Sequence, residues 1–276
     1  MFKNFIKNLL SYLFYGPIFQ KEPFYRWIVA GIVSPLKIHK KKYKNLIFKY
    51  NVSSTEVRRI INLFWEDSNR EIQTRKWIEQ NVKKGDVFLN VGSHIGTYVI
   101  FINKLKKLKK TICIEAASAN VAELMINLNI NKIENVNIYN CAAGDRDKLV
   151  EFTYERLNPG YYNARVLDLH YSKKHKEPRQ GSEFIQMKKL DDIFKYEKIH
   201  LPNIILMDID GHELLALKGM KNIFANKYLR WAIIETNTHT QKFVIEFMKK
   251  NSFYELDKNL KQEFSGPVNR IFIKKL

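Results

Sequence analysis

The chain has 276 residues, 45% hydrophobic and 13% aromatic, and its 47 Lys and Arg against 28 Asp and Glu give a formal net charge of +19. That length buries a full core, and that apolar share excludes a chain disordered throughout. No charge-free apolar run reaches the ~18 residues of a membrane span. Cys113 and Cys141 show neither CxxC spacing nor a His cluster, so they read as buried thiols in a reducing compartment.

Taken in chain order, Phe2, Phe5, Ile6, Leu9, Leu10 and Leu13 fall on one helical face with Lys3, Asn4, Lys7 and Asn8 opposite. With the basic run Lys37–Lys44 nearby, this amphipathic start suits an anionic membrane surface, and it equally suits docking on the body of the protein. Lys3 and Lys7 precede an apolar run as in a signal peptide, but bulky residues and Pro17 stand where the cleavage site belongs, so the expected location is cytoplasmic, peripheral on a membrane's inner face at most. Residues 1–52 read as a basic N-terminal extension and 53–276 as the main domain. The remaining lysines read as dispersed over the surface.

Ser53 and Glu56 form a capping box ahead of Val57, Ile60, Ile61 and Phe64, and a second helix is expected from about Arg70 to Val82. The stretch Asp86–Tyr98 (DVFLNVGSHIGTY) is the organising element: a buried strand, a turn bracketed by Gly92 and Gly96, and a helix continuing through Val99, Ile100, Ile102 and Leu105. Gly92 is expected to allow the turn, and Gly96 to let the helix start lie close to a ligand. Thr111–Glu115 (TICIE) is a second buried strand, ending in an acid about twenty residues beyond Gly92, where a ribose-binding carboxylate belongs. The run Lys104–Lys110 between them has a local reason, since cations complement a helix C-terminus.

A helix over about Asn120–Lys132 and a strand at Val136–Cys141 lead to the small residues Ala142, Ala143 and Gly144. Strands alternating with helices across short turns predict an α/β domain: a mostly parallel, doubly wound sheet of about seven strands with helices on both faces. Gly92, Glu115 and Ala142 would then meet in a crevice at the carboxyl ends of the strands. Leu149–Tyr154 reads as an exposed strand and Phe184–Met187 as a further one. The polar connection Arg156–Gly181 between them, with Tyr161, Tyr162 and Asn163, is where acceptor contacts are expected. A helical turn at Leu190–Phe194 precedes the apolar strand Asn203–Asp208. Next come the turn Ile209-Asp210-Gly211-His212-Glu213, a helix with Leu214, Leu217, Met220 and Phe224, a strand at Trp231–Thr236, a helix at about Gln241–Asn251 and a closing strand pair at Tyr254–Leu256 and Arg270–Ile273.

From about Glu71 onward the chain resembles the FkbM family of S-adenosylmethionine-dependent methyltransferases. The resemblance rests on VGSHIGTY at Val91–Tyr98, IEA at Ile114–Ala116, AAGD at Ala142–Asp145, KKLDDI at Lys188–Ile193, MDIDGHELLALKGM at Met207–Met220 and IIE at Ile233–Glu235. It implies a Rossmann-like class I methyltransferase fold, S-adenosylmethionine as cofactor and methyl transfer to a hydroxyl, often on a sugar of a glycan or glycolipid. It also implies a cofactor site of Glu71, Asn90, Gly92, Ser93, His94, Gly96, Thr97, Tyr98, Glu115, Ala116, Ala142, Ala143 and Asp208, with Glu115 at the ribose and Ala142 beside the adenine. Asp208 is the first candidate for the base and His212 the second. The turn lacks the paired GxG of a pyrophosphate site, and carboxylates and the Tyr98 ring suit a cationic sulfonium.

Four positions depart from the family pattern: Asn90 for an acid, His94 for Asn, Ala116 for Pro and Asp210 for Glu. They leave a second reading open, a binding protein that has kept the fold and lost the chemistry. Asp208, Asp210 and Glu235 could gather at the strand ends, but no dedicated spacing marks a metal site, so none is expected. No DPPY-like or NPPY-like motif follows the Met207 strand, so nucleic acid is not the expected partner. Oligomeric state is not legible.

Overall fold

The computed structural model describes residues 37–66, 69–161, 165–166, 180–196, 200–256 and 267–275. The chain divides into two compact units, Met1–Ile38 and His39–Leu276, and the described residues lie almost wholly in the second. The expected amphipathic helix at Phe2–Leu13 lies outside the described residues, as do Tyr162 and Asn163.

The second unit opens with a hairpin of β1 (Ile38–Tyr43) and β2 (Leu46–Asn51). This hairpin corrects the expected boundary at residue 52, because Phe48 and Tyr50 are wholly buried in the main core. Helix α1 (Thr55–Glu66) follows, and its cap lies one residue later than the sequence suggests. The hydroxyl of Ser54 accepts the Val57 N–H at 3.0 Å, whereas Ser53 turns away to donate to Glu123 at 2.8 Å. Helix α2 (Asn69–Asn81) then leads to the sheet.

Seven strands form that sheet. The first half contributes β3 (Val87–Val91), β4 (Lys110–Glu115) and β5 (Val136–Asn140), separated by α3 (Thr97–Leu105) and α4 (Ser118–Ile130). After a smaller sheet come α5 (Leu190–Tyr196), β10 (Ile204–Met207), α6 (Glu213–Lys218), α7 (Lys221–Ala225), β11 (Trp231–Thr236), α8 (Gln241–Lys250), β12 (Phe253–Glu255) and β13 (Val268–Lys274). The order is β12-β13-β11-β10-β3-β4-β5, parallel except for β13, which runs antiparallel to both of its neighbours. Order reverses between β3 and β10, and their carboxyl ends lie level there, with Val91 opposite Met207.

Strands β3, β4, β10 and β11 are buried along nearly their whole length, as strands covered on both faces must be. One core, containing Phe48, Phe64 and Phe101, lies between the sheet and the layer of β2, α1, α2 and α3; the other, containing Leu217, Phe224 and Val244, lies under α6, α7 and α8. The smaller sheet was not legible as such. It comprises β6 (Ala142–Ala143), β7 (Lys148–Tyr154), β8 (Arg165–Val166) and β9 (Gly181–Lys188), in the order β6-β9-β7-β8. Its buried face, Phe152, Tyr154, Ile185 and Met187, packs on Ala117 and Ala142 and walls one side of the crevice.

Candidate active site

The site is built where strands end. After β3 the chain turns at Gly92 (φ 80°), and the N–H groups of Gly92 and Ser93 both donate to the Ile114 carbonyl, at 2.9 and 3.0 Å. This folds the turn against the end of β4, and the His94 N–H donates to Glu115 Oε2 at 2.7 Å. Glu115 Oε1 accepts the Ala117 N–H at 2.9 Å and Asn120 Nδ2 at 3.4 Å. A carboxylate has about four acceptor positions, so the three donors orient Glu115 and leave capacity for a ligand hydroxyl. The same Asn120 accepts the Gly160 N–H at 2.9 Å, and Ser54 donates to the Pro159 carbonyl at 3.0 Å, drawing the segment before Tyr161 over this end of the crevice.

On the other side, the Asp208 N–H donates to the Val91 carbonyl at 3.0 Å, which places the first residue after β10 beside the glycine turn. The turn Ile209–His212 then passes through Asp210 (φ 50°) and Gly211 (φ 99°) to reach α6, with His212 as its N-terminal cap residue. Carboxylate oxygens of Asp208, Asp210 and Glu235 lie within 4.8 Å of one another, so the chain does gather three acids that their sequence spacing left apart.

These elements enclose a cavity of 590 Å³. Of the residues the sequence assigns to a site, Glu71, Asn90, Gly92, Ser93, His94, Thr97, Tyr98, Glu115, Ala116, Ala142, Ala143, Asp208 and His212 all line it. Gly96 does not: a side chain there would stand 2.5 Å from Leu124 Cδ1, so this glycine admits α4 rather than a ligand. Sequence reasoning missed Asn120, Phe152 and Met187 in the lining, together with Leu63 and Phe64 of α1. Asn120 carried a weak signal as a polar residue in the first turn of an apolar helix; the others reach the site only through tertiary packing.

The departures acquire local reasons. Asn90 is buried and its amide donates to the Leu206 carbonyl at 3.3 Å, a bond that a carboxylate could not make. His94 sits at φ 50°, in the left-handed region that Asn also tolerates. Its Nε2 is buried and without a partner, and burial holds its pKa below 6.5 despite the pull of Glu115 and Asp208, so the imidazole is neutral. Tyr98 hydrogen-bonds Glu71 through its hydroxyl and stacks edge-on against Phe64, 4.9 Å between centroids, and Asn269 holds Glu71 from the other side at 3.5 Å. Cys113 is buried beneath the site and Cys141 is buried in its lining, and burial pushes both thiols up to about 12, which makes them inert.

The order β5-β4-β3-β10-β11 with an antiparallel β13 beyond, and an acid closing β4, define a Rossmann-like class I methyltransferase. The comparisons agree: residues 90–262 match the Methyltransferase FkbM domain, and the chain belongs to that family, whose methyl donor is S-adenosylmethionine. Among solved structures it is similar to an FkbM methyltransferase from Methylobacillus flagellatus KT, with 13% identity over 79% of this chain and 59% of that one and a TM-score of 0.47. It is also similar to an rRNA methylase from Streptococcus thermophilus, with 10% identity over 76% and 98% and a TM-score of 0.47. A third is TYW2 of M. jannaschii, solved with AdoMet, with 14% identity over 88% and 89% and a TM-score of 0.41. No curated protein matches the chain.

The residues present fit the cofactor. Its sulfonium and ammonium are cationic, and Glu71, Glu115, Asp208, Asp210 and Glu235 all line the cavity. Ala116, Ala142 and Ala143 keep one wall low, as a flat base requires, and the orphaned His94 Nε2 offers a polar partner.

Proposed function

We propose that the protein methylates a hydroxyl, on a sugar of a glycan or glycolipid. The observation that carries this reading is the place of Asp208. It lies in the same cavity as Glu115, on the far side of the Gly92 turn, and is partly exposed, as an acceptor-side base must be. When bound, S-adenosylmethionine supplies an electrophilic methyl group for in-line displacement. The protein's own work is alignment and proton removal. Glu115 and the Gly92–His94 turn hold one end of the cavity, Asp208 takes the acceptor proton, and His212, in the same lining, is the second group able to do so. The acidic rim of Asp210 and Glu235 suits a polyhydroxylated acceptor, whose hydroxyls donate to carboxylates. Tyr161 and Val166, both in the cavity lining, belong to the connection expected to meet that acceptor.

No helix among the described residues is long and apolar enough to cross a membrane, and contact with a membrane surface belongs to this reading only as a peripheral one.

Calorimetric titration with S-adenosylmethionine and S-adenosylhomocysteine comes first, followed by transfer of radiolabelled methyl to a panel of oligosaccharides and glycolipids. Micromolar cofactor binding and label that resists mild base as an ether are expected. Absence of binding would return the protein to the non-catalytic reading, and label on nitrogen or on nucleic acid would overturn the acceptor class.

A further inference from the structure

The basic charge of the folded unit is concentrated at one end. Because β3, β4, β5, β10 and β11 are parallel, every connection entering them arrives at the amino end of the sheet, opposite the cavity. Lys83 and Lys84 precede β3, Lys107 and Lys109 precede β4, Lys132 precedes β5 and Lys227 precedes β11; all six are exposed.

These connections form one rigid rim. The Gly85 N–H donates to the Lys107 carbonyl at 2.9 Å, and the Lys109 N–H to the Asp86 carbonyl at 2.9 Å. Asp86 Oδ2 accepts the Lys83 N–H at 2.8 Å and Arg230 Nη2 at 2.7 Å. The Arg230 N–H donates to the Asn203 carbonyl at 2.8 Å, and Asn203 Nδ2 to the Tyr228 carbonyl at 3.3 Å. The hairpin joins from the side: Lys44 pairs with Glu79 at 2.5 Å, and Lys49 lies close enough to Lys104 to help burial lower its pKa. Glu79 feels both Lys44 and Lys106, so the two lysine runs, far apart in sequence, meet there.

Acids beside these connections include Glu79, Asp86 and Glu134, and Glu66 pairs with Lys41 of the hairpin. Asp86 is buried and bonded to Arg230, and Glu79 is held by Tyr43 and Lys44. The opposite end carries the acids of the cavity, so the unit is polar in charge. Helix C-termini account for only part of this, since Lys83, Lys84, Lys107, Lys109 and Lys227 lie outside helices. Two large apolar side chains stand exposed among the lysines, Leu201 before β10 at 40% and Tyr228 before β11 at 63%, with the Lys227 ammonium 5.2 Å from the Tyr228 ring.

We infer that this amino-end rim is a docking face for an anionic lipid bilayer, with its lysines against head-group phosphates and Leu201 and Tyr228 at the head-group boundary. Lysines alone would suit any polyanion, but an exposed leucine gains from an acyl boundary and not from a phosphate backbone. A tyrosine beside a lysine is a pairing that membrane interfaces favour. The inference is independent of the acceptor and of residues 1–36. It orients the molecule: the cavity opens away from the lipid, toward hydroxyls beyond the head-group layer.

The test is sedimentation of the full chain with vesicles of phosphatidylcholine, with and without phosphatidylglycerol. Binding is expected only with phosphatidylglycerol. Lys83→Glu, Lys84→Glu, Lys107→Glu and Lys109→Glu together are expected to weaken it about 1,000-fold or more, at roughly 1 kcal/mol per surface lysine. The same four changed to Gln should weaken it less, and Leu201→Ser with Tyr228→Ser several-fold. Lys148→Glu with Lys242→Glu, outside the rim, should bind as the parent does, and every variant should retain S-adenosylhomocysteine affinity, which reports folding separately. A rim variant that binds vesicles like the parent, or a parent that ignores phosphatidylglycerol, overturns the inference. So does salt-steep binding of single-stranded RNA lost in the rim variant while vesicles are ignored.

Discussion

The carbonyl oxygen of Asp208 fills the space in which a side chain on Gly92 would have to stand, 1.8 Å from where its Cβ would lie. Two strand ends therefore touch backbone to backbone at the point where strand order reverses. Gly92→Ala sets that contact against a φ of 80° and has no flexible neighbour to displace. We expect a loss of about 3 kcal/mol or more in denaturant unfolding, with cofactor affinity lost in parallel. A variant of parental stability would show that the two strand ends can separate.

Glu115 is held by two backbone N–H groups and one amide. Glu115→Gln keeps the shape, removes the charge and sets a donor against those donors. S-adenosylhomocysteine should bind about 10- to 100-fold more weakly, the range of one charge-assisted hydrogen bond. Calorimetry that finds unchanged affinity would remove Glu115 from ribose recognition.

For Asp208→Asn, kcat is expected to fall about 100-fold or more because the proton acceptor is lost, and cofactor affinity by much less, because Glu71, Glu115, Asp210 and Glu235 still line the cavity. Unchanged turnover would pass the role of base to His212. Measuring Asp208→Asn beside His212→Asn in one acceptor assay separates the candidates.

Burial depresses the His94 pKa below its ordinary 6.5, so folding favours the neutral imidazole. Stability from this site is complete above about 6.5, the unfolded value, and is lost as pH falls from there through the depressed folded value. Thermal melts between pH 8 and 5, a window chosen about that value, should show an acid-side decline that His94→Asn flattens. Identical slopes in parent and variant would place the acid sensitivity elsewhere.

Dialysis against EDTA is expected to leave turnover intact, because the cofactor brings its own positive charge to Asp208, Asp210 and Glu235 and methyl displacement needs no Lewis acid. Activity lost in EDTA and restored by Mg²⁺ would put a cation among those carboxylates.

The seven-stranded sheet was readable because buried parallel strands are written as short apolar runs, and Trp231–Thr236 keeps its expected bounds unchanged. Residues that close strands, Gly92, Glu115 and Asp208, were readable for the same reason: strand ends are where such a sheet exposes its chemistry. What depends on distant packing was not readable. The strand β1 is a lysine run in sequence and a strand in space, and nothing local says that Phe48 behind it enters the main core. Gly96 looked like room for a ligand and is room for Leu124. Lysines that looked scattered are gathered by the sheet's polarity, which no stretch of sequence displays alone.

The hairpin of β7 and β9 is zipped over its full length, from Lys148 opposite Met187 to Tyr154 opposite Gly181, before the chain departs at 155–180. That ladder, with β8 paired along β7, fixes the cavity wall without help from the residues between Val166 and Gln180. The connection between Val166 and Gln180 can therefore change in length while Phe152, Val166 and Met187 keep their places in the cavity wall. One scaffold could in this way acquire a succession of acceptors without rebuilding the half that holds the methyl donor.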